Sequence, residues 1–261
     1  MEQNEHEIEY LYKYCPIDSK DYTKKIITDN ELHFSNPVDF NDPFDCRPKF
    51  KFHASEDEIK KFFKEYYKEN LPQLNREQRR FKVKETMKKK RFENPELNDV
   101  IKRSIQNVLN ETPICCFSEE RKDILMWSHY ADKHRGICLQ FDGTSHTPFF
   151  GEALKVHYQE KYPTINAFTG TDAEKSEKAL LVKAEYWGYE AEWRIIYFGK
   201  EKGNYEFPEE HLRGIIFGAK ISDENKKKVL KWNAARNKSA DIYEASIKED
   251  EYGVEIKVFK V

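Results

Sequence analysis

Glu190-Ala191-Glu192-Trp193-Arg194-Ile195-Ile196-Tyr197-Phe198 decides how this chain is read. β-branched and aromatic residues crowd its second half, which is strand composition. Side chains alternate along a strand, so Glu190, Glu192 and Arg194 are expected on one face, with both carboxylates close together. A buried charge costs several kcal/mol unless it is paired, so such a face marks a pocket or a paired core network. Trp187 and Tyr189 precede it and Trp193 interrupts it, an aromatic collar that favours the pocket.

Further strands are expected on either side of this run. Residues 8–15 show period two, with Ile8, Tyr10, Tyr12 and Tyr14 sharing a face. Shorter runs predict strands at 32–35, 114–118, 136–141, 153–158, 192–198, 214–217, 241–247 and 253–261. Helices are expected from an Asp18 cap to about 27, at 123–133, at 172–183, and at 222–236 behind a Ser222 cap. Strands that cluster with few strand–helix–strand alternations indicate an α+β fold. Between 55 and 111 the period changes: Ile59, Phe62, Phe63, Tyr66 and Tyr67 recur at helical spacing. Three helices here read as an insertion into a single α+β domain spanning 1–261.

Composition excludes several classes of function. The chain has 261 residues, 35% of them charged, with a net charge of -2, so no whole-molecule field steers it to polyanions. Apolar runs are of strand length, too short to span a bilayer. The start is acidic and polar, unlike a secretory signal. Cys15, Cys46, Cys115, Cys116 and Cys138 lack any CxxC spacing, and an odd count without an export signal reads as reduced thiols in a cytoplasm. His129 and His134 are five apart, the wrong spacing for two ligands on one helical face, so no metal is expected. The basic run 76–91 is the local exception: it reads either as a solvated helix face or as a contact to nucleic acid or another polyanion.

Three polar–aromatic segments carry the chemistry. Ser118 ends the strand at 114–118, and the helix after it sets Trp127 and Tyr130 three apart on one broad face. These rings are core aromatics or a stacking floor for a flat ring such as nicotinamide or a base. Asn41 and Asp42, with Asp45, read equally as turn formers or as groups that hold a cation or orient a ribose hydroxyl.

Leu11-Tyr12-Lys13-Tyr14, Phe40-Asn41-Asp42-Pro43-Phe44-Asp45, Cys116-Phe117-Ser118, Met126-Trp127-Ser128-His129-Tyr130-Ala131, Gly136-Ile137-Cys138-Leu139 and Tyr189-Glu190-Ala191-Glu192-Trp193-Arg194 follow one another in an order that resembles the bacterial domain-of-unknown-function family numbered 2971. The order of aromatic-basic first strand, hydroxyl strand, tyrosine helix and Glu-x-Glu strand is also similar to the ADP-ribosyltransferase superfamily. That likeness implies mainly antiparallel split sheets, NAD as a substrate, and a transferase acting on a protein or nucleic-acid acceptor. It further implies that Tyr12, Lys13 and Tyr14 grip the ribose side, and that Ser118, Trp127 and Tyr130 position nicotinamide with Asn41 and Asp42 nearby. Glu192 and Glu190 would then drive transfer. The chain departs from that pattern at Lys13, where the superfamily has His or Arg.

Two readings from other classes stand beside it. One is a metal-dependent nuclease built on Asp241 and Glu255-Ile256-Lys257, although Glu-x-Lys arises freely on any strand with a solvated face. The other is a non-catalytic module that binds a nucleotide, another small molecule or nucleic acid.

Overall fold

A computed structural model describes residues 8–17 and 21–260. In chain order they form β1 (Tyr10–Cys15), α1 (Tyr22–Thr28), β2 (Glu31–Phe34), β3 (Lys49–Lys51), α2 (Glu56–Asn70), α3 (Arg76–Lys88) and α4 (Pro95–Glu111). Then follow β4 (Ile114–Ser118), α5 (Ile124–Tyr130), β5 (Ile137–Asp142), β6 (Leu154–Lys155), β7 (His157–Gln159), β8 (Thr164–Asn166), α6 (Asp172–Leu180) and β9 (Val182–Ala184). The last stretch holds β10 (Glu192–Ile196), β11 (Gly203–Glu206), β12 (Leu212–Phe217), α7 (Asp223–Ala234), β13 (Asp241–Ile247) and β14 (Val254–Val258). The fold is α+β. Asp18, the expected cap of the first helix, lies outside the described residues. That helix is described from Tyr22, and the Asp21 side chain makes no cap hydrogen bond.

The chain divides into two compact units: Met1–Phe40, Thr112–Tyr158 and Glu185–Val261 in the first, Asn41–Glu111 and Gln159–Ala184 in the second. The first unit is built on an eight-stranded sheet in the order β14-β13-β12-β5-β1-β4-β10-β6, with β2 and β11 paired as a separate two-stranded sheet. Its pairings are antiparallel except β12–β13, which are parallel and joined by α7. Ser222 caps α7 as expected, accepting from the Asn225 amide at 3.2 Å. Asn233 then clamps the exit from that helix, donating to the Ala240 carbonyl and accepting from its amide at 2.8 and 2.9 Å.

Alternation divides the residues of this sheet between two cores. Leu11, Cys15, Cys115, Phe117, Leu139, Phe141, Ile195, Ile215 and Phe217 pack on one face with Phe34 and Phe150. Tyr12, Tyr14, Cys138 and Ile216 pack on the other beneath Met126, Trp127 and Ala131. The helix that supplies these last residues is shorter than the expected 123–133. Asp132, Lys133 and His134 take φ of 45°, 55° and 68°, a left-handed run that stops it after Tyr130. The amides of Lys133, His134 and Gly136 return to the carbonyls of Ser128, Trp127 and Ala131 at 3.2, 3.1 and 2.8 Å, so the turn leaves none of these donors orphaned. Gly136 is obligatory here, because a Cβ would sit 2.2 Å from the Cys15 carbonyl oxygen.

The second unit contains the helices expected over 55–111 but is larger than that segment. Lys49 pairs with Thr164 as β3 runs parallel to β8, and Ala167 and Phe168 enter the helical core of Ile59, Phe63, Val83 and Ile101. That pairing carries 159–184 into the unit and starts it at Asn41. Its helices start on local signals: capping boxes at Ser55/Glu58, Asn75/Gln78 and Thr171/Glu174 satisfy the first free amides. The helix expected over 172–183 ends at Leu180, since 182–184 is extended as β9.

Candidate functional site

Three motif segments meet side by side on the first unit's sheet. Tyr12 of β1 pairs with Ser118 of β4, and Ser118 pairs with Glu192 of β10. Paired residues of antiparallel strands point the same way, so Tyr12, Ser118 and Glu192 form a row across one face. Cys116 and Arg194, paired with each other, form the next row toward the other end of these strands.

Arg194 is wholly buried and Glu192 is 4% exposed. The guanidinium grips the carboxylate in a fork: Nε donates to Oε1 at 2.7 Å and an Nη to Oε2 at 3.0 Å. The Phe40 ring lies 5.6 Å from that guanidinium. A buried pair of this geometry offsets much of its own desolvation cost. Glu192 is also fixed through its backbone, whose amide donates to the Tyr158 hydroxyl at 2.8 Å. Burial, with the Glu192 carboxylate next to it, pushes the Cys116 thiol well above its usual range, so Cys116 stays protonated and is no thiolate nucleophile.

Glu190 does not share a strand face with Glu192, contrary to the expectation from alternation. It closes a 3-10 turn spanning Glu185–Glu190, and Ala191 at φ 42° turns the chain before β10 begins. Tyr130 of α5 donates to Glu190 Oε1 at 2.6 Å. Ser118 fixes the same turn from below: its hydroxyl donates to the Glu190 carbonyl at 2.6 Å and accepts from the Glu120 amide at 3.0 Å. The serine that ends β4 therefore ties two loops together. Tyr189 lies beside this turn, 6.0 Å from Trp187 and 6.3 Å from His129 between ring centroids.

The remaining expected site residues are placed differently. Trp127 has no exposed surface; Tyr14 meets it edge-on at 5.1 Å, His134 stacks on it at 6.3 Å, and its Nε1 donates to the Arg121 carbonyl. It is a core ring with no face open to a flat ligand. Tyr14 donates to the Glu120 carbonyl at 2.8 Å, and burial raises its phenol strongly. Burial likewise pushes the Tyr12 phenol up to about 12, so both stay protonated at ordinary pH. Lys13 points through the opposite face, where its ammonium donates to the Cys116 carbonyl at 2.9 Å and lies over Phe117. Asn41 and Asp42 belong to the second unit. Asn41 is exposed; Asp42 is buried, its Oδ1 accepting from the Phe44 amide at 2.9 Å as a turn former, while its Oδ2 has no hydrogen-bond partner. The sequence reading missed Phe40, Tyr158 and Cys116 as neighbours of the Glu192–Arg194 pair. The strand periods could have supplied only Cys116.

The residues of the nuclease reading do not converge. Glu255 pairs with Ser246, five residues along β13 from Asp241, which is roughly 17 Å at strand rise. Lys257 bonds Glu255 itself at 2.8 Å on an exposed edge. Among the described residues no three His, Cys, Asp or Glu side chains gather as a metal-binding group, and no helix is long and apolar enough to cross a membrane.

The model of a family described as "Protein of unknown function (DUF2971)" matches residues 126–195, the stretch from α5 through the Glu190 turn to β10. Neither a curated protein nor a solved structure matches the chain.

Proposed function

We propose that the face of β1, β4 and β10 serves an NAD-type dinucleotide and transfers its ADP-ribosyl group to an acceptor. The observation that carries this reading is the register that sets Tyr12, Ser118 and Glu192 in one row on adjacent strands, with Tyr130 and Glu190 at the strand end. Cleaving the bond between ribose and nicotinamide leaves a cation-like sugar as neutral nicotinamide departs with the bonding electrons. A preorganised carboxylate beside that carbon stabilises the developing charge, as in glycoside hydrolysis. The Arg194 fork fixes the Glu192 carboxylate in place. Glu190, held by Tyr130, takes the proton that the acceptor oxygen loses as it bonds to the sugar.

A second reading rests on the same fork. Both Glu192 oxygens are engaged and the residue is 4% exposed, which suits a non-catalytic module that binds a nucleotide on a rigid floor. Thermal shift with NAD, followed by nicotinamide release on the same sample, separates the two. Transfer predicts both a shift and release, with release falling roughly a hundredfold in Glu192→Gln while the shift persists. Binding without turnover predicts a shift and no release. No shift and no release removes both readings.

A further inference from the structure

The outer face of α3 carries an excess of positive charge. Residues 76–91 hold nine basic side chains against two acidic ones, in a chain whose net charge is -2. Arg76, Arg80, Lys84 and Lys88 recur at every fourth position and form one row winding slowly along the helix. Each step rises roughly 6 Å and the row spans roughly 18 Å, a step comparable to the spacing of successive phosphates along a nucleic-acid strand. Arg91 follows just beyond the helix end. All five side chains are exposed. Their neighbours are occupied: Lys89 and Lys90 pair with Glu85 and Glu93, Arg79 donates to the Leu74 carbonyl, and Lys82 lies 5.6 Å from the Tyr67 ring centroid. Among the described residues no acidic side chain lies within ion-pair distance of the five.

One ring accompanies the row. Phe81 is 66% exposed and sits one turn from Lys84, over a shallow depression lined also by Leu74, Glu77, Gln78, Lys82 and Glu85. An exposed aromatic beside a line of cations is the pattern by which proteins follow a single strand, with phosphates on the cations and an unpaired base on the ring. A bilayer surface fits less well. Val83 is buried in the unit's own core, so Phe81 is the one large apolar side chain that the outer face of α3 offers, where a membrane-bound helix presents a broad apolar face.

We propose that the outer face of α3 docks single-stranded nucleic acid through Arg76, Arg80, Lys84 and Lys88, with a base stacked on Phe81. Fluorescence anisotropy of the full chain with labelled dT12 and U12 between 50 and 200 mM salt, about the range over which phosphate contacts are lost, tests it. Four phosphate contacts predict a slope of log affinity on log salt near roughly -3. Arg80→Glu/Lys84→Glu/Lys88→Glu should weaken binding by at least about tenfold and flatten that slope, with the melting temperature unchanged. Phe81→Ala should weaken binding severalfold and leave the slope intact. The two strands distinguish DNA from RNA, and tighter binding to either supports the proposal. It is overturned by absent binding at 50 mM salt, by wild-type affinity in the triple charge reversal, by duplex binding as tight as single-strand binding with Phe81→Ala silent, or by phosphatidylserine vesicles binding more tightly than either strand.

Discussion

The β10 strand and the α3 helix are both rich in charge and aromatic rings, yet they hold their charges under opposite conditions. On β10 the guanidinium is wholly buried, forked onto one carboxylate and covered by a ring. On α3 the Arg76, Arg80, Lys84 and Lys88 side chains are exposed, and among the described residues no acidic side chain lies within ion-pair distance of them. In the sheet, removing one partner strands the other in low dielectric; on the helix, removing a charge relieves repulsion and leaves water in its place. Arginine is therefore structural in one place and free for a ligand in the other, and the two regions should respond to mutation in opposite ways.

Arg194→Met tests the contrast most severely. It leaves Glu192 buried without its fork and should cost about 3–5 kcal/mol in urea unfolding. Arg194→Met/Glu192→Met should recover part of that loss, because neither member of the fork is then left buried as a charge without the other. Failure to recover would show that the pair does more than satisfy itself. Ser118→Ala removes the hydroxyl that ties the Glu120 and Glu190 loops and should cost about 1–3 kcal/mol, with both loops exchanging amide hydrogens faster.

Alkaline unfolding sharpens the comparison from the aromatic side of the same face. Tyr12 titrates near 10 when unfolded and about 12 when folded, so its contribution is fully present below pH 10 and is lost as pH rises toward 12. The loss should be on the order of 1–2 kcal/mol. Tyr14 shifts in the same direction, and Tyr14→Phe should flatten the alkaline limb of a stability–pH curve. In the second unit, Ser55→Ala breaks a capping box for roughly 1 kcal/mol, read as a lower urea midpoint at unchanged slope. Smallest is the α3 charge reversal, whose effect on melting temperature should be near zero while strand binding collapses.

Much of the first unit was legible because its signals are local. Period two marked β1, shorter strand-like runs marked β4, β5 and β13, and the Ser222 cap marked the start of α7 to within a residue. The row of Tyr12, Ser118 and Glu192 drew on motifs that sequence order alone suggested. Other features left weaker traces. Alanine gives no warning of positive φ, so nothing in the sequence signalled that Ala191 would break the alternation between the two glutamates. The extent of the second unit hangs on β3 and β8, strands of three residues paired across more than a hundred positions, too short to show a period. The direction of Lys13 is different, since the parity that grouped Tyr12 with Tyr14 already placed it on the opposite face.

The position of β1 in the sheet bears on how the chain is made. β1 lies inside the sheet, between β5 and β4, and no residue of either partner precedes position 114. On a ribosome adding roughly 5–20 residues per second, the strand Tyr10–Cys15 waits several seconds or longer before its partners exist. Through that interval four residues that end up buried, Leu11, Tyr12, Tyr14 and Cys15, have no sheet to enter. Nascent chains stalled before residue 114 should leave this segment open to protease, and release past residue 142 should close it.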